Sequence, residues 1–265
     1  GYSDIGCFGS EINTPNLDAL GRNGILMTQM YNSARCCPSR ASLLTGLTPH
    51  QAGVGHMVEN LGTHNYQGYL SDNCVTIAEC LNETGYQTFM SGKWHVGGHE
   101  DIQNVKKWRP GEKGFPTPKQ RGFDKFFGTL TGAGNFYNPP TLMLEDKFIQ
   151  VESTDFHYTD EISKHAVRMI DEKNDDDPFF MYVAFTAPHW PLHAWEEDIS
   201  KYEGKVLIRN PNPDLREGSN SGLVIVLEFA SLDHAKRFYE SEEYTLAKQV
   251  REKACSTELI LVEGI

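Results

Sequence analysis

The hydrophobic pattern of roughly the first 200 residues predicts an α/β protein. Short apolar segments alternate there with glycine-punctuated turns and amphipathic stretches, which is typical of a sheet flanked by helices. Helices are predicted over residues 15–23, with Thr14 as the N-cap, over 75–84 and over 159–173.

Seven consecutive apolar residues, 179–185, have the length of a β-strand. The run lacks the alternation of a strand that is exposed on one side, so it predicts a strand buried on both faces. Strands of this kind lie centrally in α/β sheets. We therefore expect it in the middle of the sheet.

The pattern changes after about Tyr202. Two apolar segments there predict strands, a long helical stretch follows, and a third apolar segment closes the chain; the predicted strands are 205–209, 222–229 and 259–264, and the helices 232–239 and 241–253. The order β-β-α-β indicates a small α+β unit. We place the domain boundary between residues 1–205 and 206–265.

Composition narrows the classes of function. The chain has 265 residues with a net charge of −12, from 24 Lys and Arg against 36 Asp and Glu, so general binding to nucleic acid is not expected. No apolar run reaches the roughly 18 residues of a membrane-spanning helix, so no membrane span is expected. The six cysteines contain no Cys-x-x-Cys pair and do not fix the compartment.

The segment 36–46 carries the strongest chemical signal, and it reads Cys-Cys-Pro-Ser-Arg-Ala-Ser-Leu-Leu-Thr-Gly. Pro38 favours a helix start, which puts Cys36 at a helix N-terminus, where exposed N–H groups attract anions. Arg40 follows one turn later on the same side. Two interpretations are open from these residues alone: a thiolate nucleophile with an arginine partner, or a buried cysteine pair behind a helix cap.

This segment resembles the C-x-P-S-R-x-x-L-L-T-G signature of the sulfatase family, whose first cysteine, here Cys36, is converted to formylglycine. Residues 85–88 and 92–95 are similar to the family's G-Y-x-T and G-K-W-H element. Further segments that match are 1–6, 14–20, 121–124 and 187–191. The resemblance covers about residues 1–205 and implies a sulfatase- and alkaline-phosphatase-like sheet flanked by helices, truncated at both ends.

The resemblance also implies a chemistry, the hydrolysis of a sulfate ester as in arylsulfatases. One hydroxyl of a hydrated aldehyde on residue 36 would attack sulfur, and the other would be deprotonated to expel sulfate. Arg40 would hold the hydrate, Lys93 would contact sulfate oxygens, His95 would assist the hydrate, and His189 would bind sulfate or protonate the leaving oxygen. The implied partners are a small-molecule or carbohydrate sulfate ester and the machinery that generates formylglycine.

The family also uses a divalent cation, usually calcium, which binds through hard oxygen ligands. Its paired aspartates would directly precede Gly1, and its Asp-Asn pair has no match after residue 205. Only the oxygen of a modified Cys36 would remain as a metal ligand, so we expect the chain to bind the metal poorly. The resemblance favours a periplasmic or secreted protein, although no signal peptide is visible at Gly1.

Residues 206–265 resemble the second half of a family of uncharacterised, dimeric α/β-barrels with a ferredoxin-like plan. Because the apolar strands of such a half-module would leave one sheet face uncovered, we predict a homodimer through these residues, or instability. The alternative to an active sulfatase is a catalytically inactive fusion or fragment whose C-terminal module mediates association. A phosphoesterase of the same architecture is disfavoured, since such enzymes usually carry Ser or Thr in place of Cys36.

Overall fold

In a computed structural model of the protein, the chain divides into two units, residues 1–191 and 192–265. The structure describes residues 4–10, 12–98, 107–199, 205–210, 224–229, 231–254 and 259–262. The helices of the first unit are α1 (Pro15–Asn23), α2 (Cys36–Thr45), α3 (Ile77–Asn82) and α4 (Tyr158–Asp171). Its strands are β1 (Gln87–Gly92), β2 (Lys125–Thr129), β3 (Leu142–Leu144), β4 (Lys147–Phe148) and β5 (Phe179–Ala184).

The five strands form one mixed sheet in the order β4-β3-β2-β1-β5. Strand β1 runs parallel to both of its neighbours, with Phe89 opposite Lys125 of β2 and Met181 of β5. Strands β3 and β4 add to β2 as an antiparallel edge. This sheet with helices on both faces confirms the predicted α/β class.

Neighbouring residues of a strand point to opposite faces, and the two hydrophobic cores follow that alternation. On one face Met90 and Phe126 pack with buried residues of α2 and α3, including Leu44. On the other face Phe89 and Phe127 pack with Tyr158, Ile162 and Met169 of α4. The sheet is therefore covered on both sides, which fixes where α2 begins relative to the end of β1.

The three helices predicted in this unit are present, and their local capping differs. Thr76 and Glu79 form a reciprocal capping box at the start of α3, so this helix begins two residues later than predicted. Thr14 precedes α1 but does not cap it with its side chain. Its hydroxyl instead donates to the Asp18 carboxylate at 2.9 Å and accepts from the Gly6 N–H at 2.8 Å, so it ties the helix to the preceding turn.

The expectation that residues 179–185 form a central strand buried on both faces is wrong for the described sheet. Strand β5 lies at its edge, and Phe179, Val183 and Phe185 are each about 40% exposed. The apolar run correctly predicted a strand, but the burial of that strand also depends on what pairs with its second edge. Within the described residues only β1 pairs with it.

The second unit contains a short helix α5 (Glu196–Ile199), an antiparallel pair of strands β6 (Lys205–Asn210) and β7 (Val224–Glu228), and helices α6 (Leu232–Glu240) and α7 (Glu242–Ala254). Ser231 caps α6 as predicted, since its hydroxyl accepts from the His234 N–H. Phe238 joins the two helices through ring contacts with Phe229 and Tyr244. This unit is held together by a small aromatic cluster.

The third strand predicted in this unit, 259–264, is not observed over residues 259–262, and the remainder lies outside the described residues. Leu259, Ile260, Leu261 and Val262 are all exposed. The segment has the composition of a strand, but a strand forms only when a neighbour accepts its backbone hydrogen bonds. Within the described ranges, no helix of either unit is long and apolar enough to cross a membrane.

Candidate active site

Helix α2 places Cys36 at its first residue, as predicted from the sequence. Arg35 is the N-cap in an extended conformation, and its side chain makes no capping hydrogen bond. The first N–H groups of the helix therefore add positive potential beside the Cys36 thiol. Cys37 turns the other way and is fully buried in the core with Ala41 and Leu44.

Lys93 and His95 follow directly after β1, and the backbone there is anchored on both sides. The Lys93 N–H donates to the Ala184 carbonyl at the end of β5, and the Trp94 N–H donates to the Thr129 carbonyl at the end of β2. Trp94 is buried in the core, with its indole donating to the Pro116 carbonyl. His95 has a left-handed backbone with φ of 55°. The carboxyl ends of three strands thus fix both side chains.

Arg40 connects α2 to this strand end. One guanidinium nitrogen, Nη1, donates to the Lys93 carbonyl at 2.7 Å and to the Tyr182 hydroxyl at 3.2 Å, and Nη2 donates to the Phe185 carbonyl at 3.4 Å. None of these acceptors is a carboxylate. The positive charge of Arg40 is therefore positioned by neutral groups.

The thiol of Cys36 is strongly acidified in this environment. A hydrogen bond from the Cys37 thiol, then one from His95 and the positive charge of Lys93, hold the pKa of Cys36 far below its usual value, although burial opposes the change. The same contact with Cys36, together with burial, raises the pKa of Cys37. The pair therefore holds one negative charge, on the outer sulfur.

Lys93 and His95 are buried beside this sulfur, with 2% and 5% of their surfaces exposed. Burial, followed by the charge of Arg40, lowers the pKa of Lys93 from 10.5 to about 8. Burial also lowers the pKa of His95 from 6.5 to about 4. At neutral pH Lys93 remains a cation and His95 is neutral, which suits a lysine that binds an anion and a histidine that exchanges a proton.

The described ligand atoms do not fit calcium. The one group of three or more potential ligands that the described ranges contain is Cys36, Cys37 and His95, which offers two sulfurs and an imidazole. Calcium requires oxygen ligands, six to eight of them. Two cations, Lys93 and Arg40, also stand beside these residues. The expectation that the chain binds a hard divalent cation poorly stays a prediction.

The structure thus brings four of the five predicted site residues together, and His189 stands apart from them in its hydrogen bonding. His189 follows β5 and is half-buried. Its ring Nδ1 is hydrogen-bonded to the neighbouring Trp190 carbonyl at 2.5 Å, and its backbone N–H donates to the Thr186 carbonyl. The described contacts leave its catalytic role a prediction.

Sequence reasoning missed two residues that shape the site. Tyr182 lies inside the apolar run of β5, where nothing local distinguished its hydroxyl, yet this hydroxyl accepts a hydrogen bond from Arg40. Gly132 lies against the ring of His95 so closely that a Cβ atom there would overlap it. Neither contact had a signal in the sequence, because each joins residues that are distant along the chain.

Comparisons with known proteins show which families this chain resembles. A family model of the sulfatases matches residues 1–221, and one for a domain of unknown function, DUF1330, matches residues 193–265. An arylsulfatase of Klebsiella aerogenes is 35% identical over 218 residues, which cover 77% of this chain and 44% of that protein.

Solved structures of other proteins are also similar to this chain. A crystal structure of Ps i-CgsB in complex with k-i-k-neocarrahexaose superposes with a TM-score of 0.59 at 31% identity, covering 76% of this chain and 46% of the other. A protein in complex with its substrate D-glucosamine-2-N,6-O-disulfate superposes with a TM-score of 0.52 at 26% identity, covering 71% and 32%.

The chain spans 39 to 44% of the length of the first two curated relatives it matches. The DUF1330 match indicates a small C-terminal domain, and it overlaps the end of the sulfatase match at residues 193–221. Because the sulfatase match covers most of the sequence and includes the cluster around Cys36, the chain belongs to the sulfatase family.

Proposed function

We propose that the protein hydrolyses sulfate esters at the cluster around Cys36, after this residue has been converted to formylglycine. One observation carries the proposal: Cys36 and Arg40 of α2 meet Lys93 and His95 at the end of β1. A sulfate ester spreads its negative charge over its free oxygens. A site in which the buried Lys93 and the neighbouring Arg40 supply two positive charges suits such a group.

The residues of the chain then divide the work. Formylglycine at position 36, once hydrated, supplies the oxygen nucleophile for sulfur. Lys93 holds a sulfate oxygen from a site that excludes water, which strengthens its attraction. Arg40 fixes the end of β1 and adds a second positive charge. His95, neutral at physiological pH, takes or returns a proton at position 36, with which its side chain is hydrogen-bonded.

A divalent cation also belongs to the proposed activity, as in the sulfatase family. The ligand atoms described at Cys36, two sulfurs and an imidazole, do not fit calcium. The measurement that decides is turnover after chelation and after addition of calcium or magnesium. Full turnover in the presence of chelator would remove the cation from the proposal.

For the substrate we propose an aryl or carbohydrate sulfate. An arylsulfatase of Klebsiella aerogenes and a protein whose substrate is D-glucosamine-2-N,6-O-disulfate both match this chain, and their descriptions name an aryl and a sugar sulfate. Turnover measured on a panel of aryl sulfates and sugar sulfates distinguishes these two substrate classes.

A periplasmic or secreted location stays a prediction.

The test of the function is turnover combined with the state of residue 36. The chain is produced together with formylglycine-generating machinery, and mass spectrometry of the Cys36 peptide gives the fraction converted. Turnover should scale with that fraction and disappear in Cys36→Ala, while Cys80→Ala, at an exposed cysteine, should retain it. Turnover that survives Cys36→Ala, or full conversion without turnover of any sulfate, would refute the proposal.

We also propose that residues 206–265 form a homodimer. Ile225, Val226 and Leu227 of β7 and residues 259–262 are exposed apolar side chains, of a kind that association would bury. Sedimentation of the full chain should show a dimer at micromolar concentration. A monomer that stays folded at these concentrations would refute this.

A further inference from the structure

Cys36, Cys37 and His95 form a compact group of soft metal ligands. The two Sγ atoms and a ring nitrogen of His95 all lie within 4.8 Å of one another. Metal bonds of about 2.3 Å to sulfur and 2.0 Å to nitrogen, as in zinc sites, place two ligands of one ion up to about 4.6 Å apart. One ion can therefore reach all three atoms with small side-chain adjustments.

The imidazole of His95 is available as a ligand. The side chain is 5% exposed, and among the described residues its Nδ1 has no hydrogen-bond partner. A neutral imidazole carries its proton on one ring nitrogen only, so the other nitrogen can bind a metal ion. The left-handed backbone of His95 and the close packing of Gly132 hold the ring in this place.

The charge of the surroundings selects among soft ions. Lys93 and Arg40 both act electrostatically on the cysteine pair. Two thiolates with a monovalent cation carry a net charge of about −1, which these two cations stabilise, whereas two thiolates with a divalent cation are neutral and gain less. Thiolate ligands suit Cu(I) and zinc and disfavour hard calcium, and of these two soft ions the monovalent Cu(I) matches the charge of the surroundings better.

We propose that the unmodified chain binds one Cu(I) ion in a three-coordinate site made of the Cys36 and Cys37 sulfurs and the His95 imidazole. The ion binds both sulfurs as thiolates, any proton that these sulfurs carry passes to solvent, and no electron is transferred. Conversion of Cys36 to formylglycine removes one sulfur and abolishes the site. The site belongs to the chain before this conversion and does not rest on the proposed hydrolysis.

The experiment uses the full chain made without formylglycine-generating machinery, with the thiol at position 36 verified by mass spectrometry. Under anaerobic conditions Cu(I) is titrated in competition with bicinchoninate, and X-ray absorption gives the ligands. We expect one tightly bound ion with two sulfur neighbours and one nitrogen neighbour. Coordination by sulfur alone, or no withdrawal of Cu(I) from the chelator, would overturn the site.

Two variants test the assignment. Cys37→Ala, which keeps a small apolar side chain in the core, should weaken binding by more than the roughly 100-fold seen when a residue supporting a metal ligand is lost. Cys80→Ala, at an exposed cysteine outside the group, should bind as the parent does. If Cys80→Ala loses the ion and Cys37→Ala retains it, the site lies elsewhere.

A measurement without substitution covers the case in which Cys37→Ala fails to fold. Iodoacetamide labelling of the parent chain is followed by peptide mass spectrometry with and without one equivalent of Cu(I). The ion should protect Cys36 at least tenfold and leave the labelling of Cys80 unchanged. Equal labelling of Cys36 in both samples, or retention of Cu(I) by chain carrying formylglycine, would contradict the proposal.

Discussion

Two cationic side chains are buried in the described part of the first unit, Arg121 and Lys93, and their burial is compensated differently. Arg121 is 6% exposed, and its guanidinium pairs with the Glu79 carboxylate at 2.7 Å while also donating to the carbonyls of Leu70, Ser71 and Cys74. Lys93 is 2% exposed and has Arg40, Cys36 and Cys37 as its strongest electrostatic neighbours.

The difference shows in the pKa values of the two groups. Burial disfavours the charge of both residues. At Arg121, however, the hydrogen bond and charge of Glu79 outweigh burial and raise the pKa. At Lys93 burial prevails and lowers the pKa to about 8. Arg121 is thus a cation that Glu79 neutralises, and it connects α3 to the loop before β2. Lys93 is a cation that can still bind an anion from outside.

The largest effect is expected from Arg121→Met, which leaves the Glu79 carboxylate without its cationic partner and removes one donor from each of three carbonyls. We expect a loss of about 3–5 kcal/mol in the free energy of unfolding, because an unpaired charge remains partly buried. Denaturant unfolding followed by tryptophan fluorescence measures it. Lys125→Met, which breaks the exposed pair with Glu172, is the control and should cost less than about 1 kcal/mol. Equal losses of unfolding free energy in the two variants would contradict the structural role of Arg121.

The opposite result is expected at Lys93. Lys93→Met should lower turnover of a sulfate ester about 10²- to 10³-fold, because the group that holds the developing negative charge is lost. The free energy of unfolding should stay the same or increase, since a buried cation is removed. Lys119→Met, at a partly exposed lysine paired with Glu145, is the matched control for activity. A large loss of stability in Lys93→Met would mean that Lys93 is a structural cation like Arg121.

The pH dependence of stability sharpens the contrast through His95. Its pKa in the folded chain, about 4, lies below the ordinary 6.5, so the unfolded chain binds more protons between these values. Stability should therefore rise with pH from 4 to 6.5 and be lost as the pH falls, by up to about 3 kcal/mol from this group. His95→Gln should remove this part of the slope under reducing conditions. An unchanged slope would show that His95 titrates normally.

The smallest effect is expected at Gly132, where a Cβ atom would overlap the ring of His95. Gly132→Ala should displace the ring and lower turnover about tenfold, which corresponds to about 1.4 kcal/mol. In the background of His95→Ala the same substitution should cost almost nothing, because the displaced group is absent. A tenfold loss in both backgrounds would assign Gly132 to packing alone.

Much of the local structure could be predicted from the sequence. Pro38 and the residues after it specified a helix with Cys36 at its start, and Thr14, Ser231 and the apolar runs placed further elements close to where they are observed. These predictions succeed because capping and periodicity act over a few residues. The same reasoning misjudged β5, since its composition specifies a strand but not what covers the strand's outer edge.

The sequence by itself determined the residues of the cluster and the family to which they belong, because short motifs keep the reactive groups at fixed spacing on one helix turn or one strand end. Only the tertiary structure decided that Arg40 reaches the Lys93 carbonyl 53 residues away and the Tyr182 hydroxyl 142 residues away. It also decided that Lys93 lies buried beside Arg40, Cys36 and Cys37. Contacts over such distances depend on the register of β1 between its two parallel neighbours, which no local pattern specifies.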